Sequence, residues 1–268
     1  MPESCAGFIW YELMTSDPQG AAAFYGAVIG WKIAAHADPD PSAAGMDYRM
    51  IVRDDGGNAG GVLRLTEAML AGGARPCWMP YLQVADVDAA VVAIEAEGGS
   101  VQMPAADLPV GRIAMLRDPQ GVPIYVMAPK PPPGAPPGAT SDVFDETATQ
   151  RVRWNELASP DQPGSMAFYA RHFGFAFDES MPMGELGDYC FIDHGGKRLG
   201  AIMRKRLDTP VLWDFYFGVP SAAAAKRAIE ENGGTVESGP HEVPGGDWVV
   251  TATDPQGARF GVVGPLGE

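Results

Sequence analysis

Two glutamates sit in unusual company. Glu12 and Glu156 each fall inside a short run of aromatic and aliphatic residues, Phe8 to Met14 and Val152 to Leu157. Strand alternation puts Glu12 on the same face as Trp10, and Glu156 on the same face as Trp154. A carboxylate on a face that lines a cup is partly desolvated, so its pKa rises. It becomes a candidate general acid or base, or a counter-ion for a cationic ligand. The competing reading is an ion pair with an arginine such as Arg112 or Arg153 that ties strands together, and Arg112 is also a candidate substrate contact. Trp10, Tyr81, Trp154 and Tyr216 are the side chains an apolar cup would offer a planar ligand, with core packing as the alternative. Trp78 and Trp213 lie three positions from the tyrosines, on the opposite strand face, and are expected to pack under helices.

Other reactive residue types are placed less suggestively. Cys5, Cys77 and Cys190 are odd in number, far apart and in no C-x-x-C arrangement. Neither a disulfide framework nor a cysteine zinc site is indicated, and no Cys–His pairing marks a nucleophile, so a reducing cytoplasm is expected. His36, His172, His194 and His241 show no metal-ligand spacing. Gly56-Gly57 and Gly60-Gly61 read as turn glycines, because no strand-to-helix context of a phosphate loop surrounds them. With 34 acidic against 19 basic side chains the formal charge is −15. That balance disfavours nucleic acid and anionic membrane surfaces, since the densest basic cluster is only Arg204 to Arg206. The N-terminus lacks a basic signal region, and no apolar run approaches the roughly 18 to 20 residues of a spanning helix.

The elements that must position these residues come as an internal repeat. Trp10, Glu12, Leu13, Asp17, Phe24-Tyr25 and Gly30 recur as Trp154, Glu156, Leu157, Asp161, Phe168-Tyr169 and Gly174, at a constant offset of 144. Trp78, Tyr81 and Gly98-Gly99 recur as Trp213, Tyr216 and Gly233-Gly234 at an offset of 135. The tetrapeptide Asp118-Pro-Gln-Gly121 returns as Asp254-Pro-Gln-Gly257. Between the copies, the proline-rich Ala128 to Thr140 blocks helix and central strand and reads as a spacer.

Each copy reads as strand, helix and three strands, twice over. Asp17-Pro18 and Asp161 open helices that close at Gly30 and Gly174. Asp86 and Ser221 cap alanine-rich helices that end at glycine pairs. Tyr48 to Arg53 and Ala59 to Leu65 flank a turn cluster and form a hairpin. Arg112 to Arg117 and Pro123 to Ala128 form another across the type I turn of Asp118-Pro-Gln-Gly121.

Two such units per half, with D-x6-F-Y-x4-G and D-P-Q-G in order, resemble the vicinal oxygen chelate superfamily of glyoxalase, bleomycin-resistance and extradiol-dioxygenase proteins. The resemblance implies an α+β fold with two tandem domains, residues 1–128 and 151–268, joined by a linker at 129–150. Each domain would curve paired βαβββ units around a ligand cup, often beneath a divalent metal. The superfamily's metal-ligand positions fall here on Trp10, a residue near Met79, and Tyr125, and in the second copy on Trp154, Asp214 and Gly261. No metal and no other cofactor is therefore expected, and Asp214 joins the candidate ligand contacts. The expectation is binding of a small organic molecule in metal-free aromatic cups, with Glu12 and Glu156 as candidate catalytic residues. A metal-dependent lyase or dioxygenase with a remodelled ligand set, and a pure sequestration protein, are the alternatives. Either a monomer or a homodimer fits, and no nucleic-acid or membrane partner is expected.

Overall fold

The computed structural model describes residues 7–37, 46–131, 134, 136, 140–206 and 211–268. Cys5 and part of the proline-rich tract lie outside the described residues. The first half runs β1 (Phe8–Thr15), α1 (Pro18–Val28), β2 (Lys32–Ile33), β3 (Tyr48–Val52), β4 (Asn58–Arg64) and α2 (Glu67–Ala71). It continues through β5 (Cys77–Gln83), α3 (Val87–Ala96), β6 (Ser100–Leu108), β7 (Gly111–Arg117) and β8 (Pro123–Pro129). The second half repeats the pattern with β9 (Val152–Ser159), α4 (Gln162–Phe173), β10 (Ser180–Pro182), β11 (Asp188–His194) and β12 (Lys197–Arg204). Then come β13 (Trp213–Gly218), α5 (Ala222–Glu231), β14 (Thr235–Glu242), β15 (Trp248–Thr253) and β16 (Arg259–Gly264). These form two eight-stranded mixed sheets of identical strand order, β2-β3-β4-β1-β5-β8-β7-β6 and β10-β11-β12-β9-β13-β16-β15-β14.

The helix boundaries follow from their caps. Asp17, Asp86 and Asp161 accept backbone N–H bonds from Gly20, Ala89 and Gly164, and Ser221 accepts one from Ala224. Gly174 ends α4 in the left-handed conformation, φ 69°, a role glycine fills without a Cβ penalty. The two D-P-Q-G turns close as expected, with Gly121 N–H on Asp118 O and Gly257 N–H on Asp254 O.

Packing groups the chain into two compact units that cut across the repeat. The first holds Met1–Ile9, Met79–Ser141 and Asn155–Trp213, and the second Trp10–Trp78, Asp142–Trp154 and Asp214–Glu268. Each unit thus contains elements of both halves. In the second, Phe24 and Tyr25 of α1 pack edge-on against Phe260 of β16. In the first, Tyr169 of α4 packs against Phe175 and Trp213, and Phe8 meets the same tryptophan at 5.1 Å.

Residues 143–150 of the expected 129–150 linker make packing contacts and hydrogen bonds. Val143 and Phe144 are buried, and Phe144 bridges to Val152. Gln150 holds a left-handed backbone, φ 61°. Its side chain donates to the Gly30 carbonyl and accepts from the Asp54 N–H, while its own carbonyl accepts from the Trp31 indole. One residue thus satisfies a carbonyl just past the end of α1 and a hairpin donor together.

Candidate functional site

Alternation along β1 leaves Tyr11 and Leu13 fully buried and puts Trp10 and Glu12 on the other face. In the second compact unit the Trp10 indole donates to the Tyr48 hydroxyl at 2.8 Å. Glu12 is only 2% exposed. Burial, and then the Glu12 charge, push the Tyr48 phenol well above its ordinary range. The repeat of this arrangement is in the first compact unit, where the Tyr189 hydroxyl donates to Glu156 Oε2 at 2.5 Å. Glu156 and Trp154 are half-buried on one face of β9, whereas Asn155, Leu157 and Ser159 are buried on the other. Each glutamate is thus associated with a tyrosine from the neighbouring hairpin. Tyr48 and Tyr189 were missed by the sequence reading, although both open a hairpin at nearly the offset of the repeat.

The arginines expected near the glutamates have other partners. Arg112 lies on the helix-facing side of β7, with Ala114 and Leu116, and pairs with Asp88 of α3 and with Asp107. It is therefore on the opposite face of the sheet from Tyr81 and Tyr125, because strand parity separates them. Arg153 donates to Asp247 at 2.6 Å and to the Glu146 carbonyl.

Tyr81 and Tyr125 are in register and stack, ring centroids 4.3 Å apart and 16° from parallel. In the other half Tyr216 faces Gly261 in the same register. A Cβ on Gly261 would fall closer than 3.0 Å to three atoms of the Tyr216 ring, so the ring lies flat on the glycine. Asp214, two residues before Tyr216, is ion-paired at 2.7 Å with Arg259, which also donates to Glu237. Arg259 too was missed, its signal being its place just after the second D-P-Q-G turn, where the first half has Pro123.

Trp78 and Trp213 pack under helices as expected, and each donates its indole N–H to a helix tyrosine. Trp78 bonds Tyr25 at 2.9 Å and Trp213 bonds Tyr169 at 3.0 Å. The tyrosines donate onward to Asp254 and Asp118. The recurrent tryptophan, tyrosine and D-P-Q-G aspartate are therefore one buried hydrogen-bonded chain in each unit. Burial raises both aspartate pKa values, against the lowering effect of the backbone N–H groups and the tyrosine.

The donor set does not fit a divalent metal. The six positions at which the resemblance places ligands hold Trp10, Met79, Tyr125, Trp154, Asp214 and Gly261, and the one carboxylate among them faces a guanidinium. Among the described residues no group of three or more His, Cys, Asp or Glu side chains is placed to hold a metal. His194 bonds the Gly174 carbonyl, His241 bonds Ser238, and His172 lies against Glu97. Two cavities lie away from the predicted residues. One of about 660 Å³ is lined by Gly30, Asp54, Gln150 and Ser221, and one of about 530 Å³ by Gln162, Asp188, Cys190 and Arg204. Burial and Asp188 push the Cys190 thiol up, the direction that makes a poor nucleophile.

A family model described as the Glyoxalase/Bleomycin resistance protein/Dioxygenase superfamily matches residues 7–126 and 151–262. The chain belongs to that superfamily. Its two matched segments follow the sequence repeat. Among curated relatives, "Putative glyoxylase CFP32" of Mycobacterium tuberculosis is 30% identical over 258 residues, covering 96% of this chain and 94% of that protein. "Anthracycline biosynthesis protein DnrV" of Streptomyces peucetius is 31% identical over 124 residues, 41% of this chain and 45% of the relative. The fold of this glyoxalase-superfamily chain is shared with the Mn(II)-bound glyoxalase from Novosphingobium aromaticivorans. There the TM-score is 0.63 at 18% identity, over 99% of this chain and 83% of that one. It is shared equally with the 2,3-dioxygenase LapB from Pseudomonas sp. KL28, at TM-score 0.62 and 15% identity, over 98% and 93% of the two chains. No helix of the described residues is long and apolar enough to cross a membrane.

Proposed function

We propose that this superfamily member binds a small organic molecule without a divalent metal, and that its glutamate–tyrosine pairs exchange protons with the ligand. The observation that carries the metal-free reading is the Arg259–Asp214 ion pair. It commits to a guanidinium the one carboxylate found at an expected ligand position. The proton-handling reading rests on Glu156 with Tyr189 and Glu12 with Tyr48, a carboxylate beside a phenol in each copy. A phenol held against a carboxylate is a relay in which one group accepts a proton as the other donates. The name of the Streptomyces relative, which ties it to anthracycline biosynthesis, supports flat ring systems with oxygen substituents as the ligand class. Calorimetric titration of oxygenated aromatic acids in EDTA tests the reading. Saturable binding that persists in EDTA and weakens in Glu156→Gln and Tyr189→Phe is expected, whereas binding that appears only on adding Mn(II) contradicts it.

A further inference from the structure

The two glutamate–tyrosine pairs differ in the residue beneath the tyrosine. Glu12 on β1 is in register with Gly61 on β4, and Glu156 on β9 with Ala201 on β12. The hairpins carry the equivalence outward. Met50 lies opposite Gly61 and Phe191 opposite Ala201, which makes Tyr48 and Tyr189, each two residues earlier, counterparts. The preceding glycines agree, since a Cβ on Gly60 would strike the Tyr11 carbonyl and one on Gly200 the Asn155 carbonyl. A Cβ on Gly61 would fall closer than 3.0 Å to three atoms of the Tyr48 phenol, its hydroxyl oxygen included. The end of the Tyr48 side chain therefore fills the space that a methyl group takes at Ala201. The hydrogen bonds differ accordingly. The Tyr48 hydroxyl accepts from the Trp10 indole at 2.8 Å, whereas the Tyr189 hydroxyl donates to Glu156 Oε2 at 2.5 Å. An indole N–H only donates, so the bond to Trp10 does not use the Tyr48 proton.

Resting on the proton-exchange reading above, we infer that Gly61 and Ala201 are positioning residues that give the two tyrosines opposite hydrogen-bonding roles. Gly61 lets the Tyr48 phenol lie over β4 and take the Trp10 N–H, so its own proton is the one the first copy has to give. Ala201 denies Tyr189 that place and keeps it donating to Glu156. The second pair is on this account a ready-made relay, in which an acceptor on the ligand must displace a carboxylate to reach the phenol proton. The first is a neutral donor held from behind by an indole, with Glu12, only 2% exposed, beside it. A single methyl group thus divides the labour between two copies that share every other element of the pair.

The tyrosine Fermi doublet in the Raman spectrum of the full chain tests this, because its intensity ratio separates a phenol that accepts a hydrogen bond from one that donates to a carboxylate. Wild type minus Tyr48→Phe should give an acceptor-type doublet, and wild type minus Tyr189→Phe a donor-type one. In the Gly61→Ala background the Tyr48 doublet should become donor-type. The Trp10 indole N–H, assigned with Trp10→Phe, should there exchange with solvent about tenfold faster, equivalent to ~1.4 kcal/mol. Ala201→Gly, which only removes a methyl group, should move the Tyr189 doublet toward the acceptor type and keeps the test decisive if Gly61→Ala does not fold. A donor-type Tyr48 in the wild type overturns the inference, as does an unmoved doublet in either folded variant. The proton-exchange reading fails separately. If the doublets behave as expected while binding in EDTA is untouched by Glu156→Gln and Tyr189→Phe, the roles of Gly61 and Ala201 stand and that reading falls.

Discussion

The Tyr25 hydroxyl donates to Asp254 Oδ2 at 3.1 Å, across 229 residues of chain, and both groups are buried. Tyr169 makes the mirror-related bond to Asp118 at 3.0 Å. In each case the helix of one half is tied to the closing turn of the other. The repeat is thus built so that neither half satisfies its own buried tyrosine and aspartate.

Tyr25→Phe leaves an Asp254 oxygen and the Trp78 N–H without their buried partner. It should lower stability by about 2–4 kcal/mol, as should Tyr169→Phe. Urea unfolding at neutral pH measures both, and a loss below about 0.5 kcal/mol in either would show that the chain in question does not stabilise its own unit.

Asp254 gives a pH signature of defined sign. Its folded pKa is raised above the ordinary 3.8 by burial, so the folded state binds the proton more tightly than the unfolded chain. Its contribution to stability is complete below 3.8 and is lost as pH rises through the folded pKa. Asp55 works the other way, held down at about 2 by the Gly57 N–H and by Arg53, and adds stability as pH rises above that range. The difference between wild type and Asp254→Asn isolates the first effect. Stability measured against pH should fall less steeply in the variant from pH 3.8 upward, and parallel curves would contradict the assignment.

Much of this was legible in the residues. Aspartate and serine caps, the glycine stops and both D-P-Q-G turns are local signals, and the structure realises them as read. Trp78 and Trp213 were placed under helices by strand parity alone. What sequence did not show was pairing at a distance. Nothing local in Arg112 distinguishes a cup residue from one bonded to Asp88 across a helix. Tyr48, Tyr189 and Arg259 matter only through partners 33 to 45 residues away or on other strands. Gln150 stood in the stretch expected as linker because its left-handed backbone and its bonds to Gly30 and Asp54 leave no compositional trace.

Gln150→Ala keeps a strained left-handed residue and deletes the side-chain bonds, so a loss of about 1–3 kcal/mol is expected. Gln150→Gly loses the same bonds but relieves the backbone. Chemical denaturation should rank the glycine variant as the less damaged, and the reverse order would contradict the conformational account.

Asp214 and Arg259 form a half-buried pair, and a double-mutant cycle with Asp214→Asn and Arg259→Gln should return a coupling of about 1–2 kcal/mol. A coupling near zero would mean the guanidinium does not hold the carboxylate.

Metal content tests the central claim most directly. Protein purified without chelators should carry no stoichiometric metal by elemental analysis, and calorimetric titration with Mn(II), Zn(II), Ni(II) and Fe(II) should show no tight site. About one tightly held ion per chain would contradict the account and make the Arg259–Asp214 pair a displaced state of a metal centre.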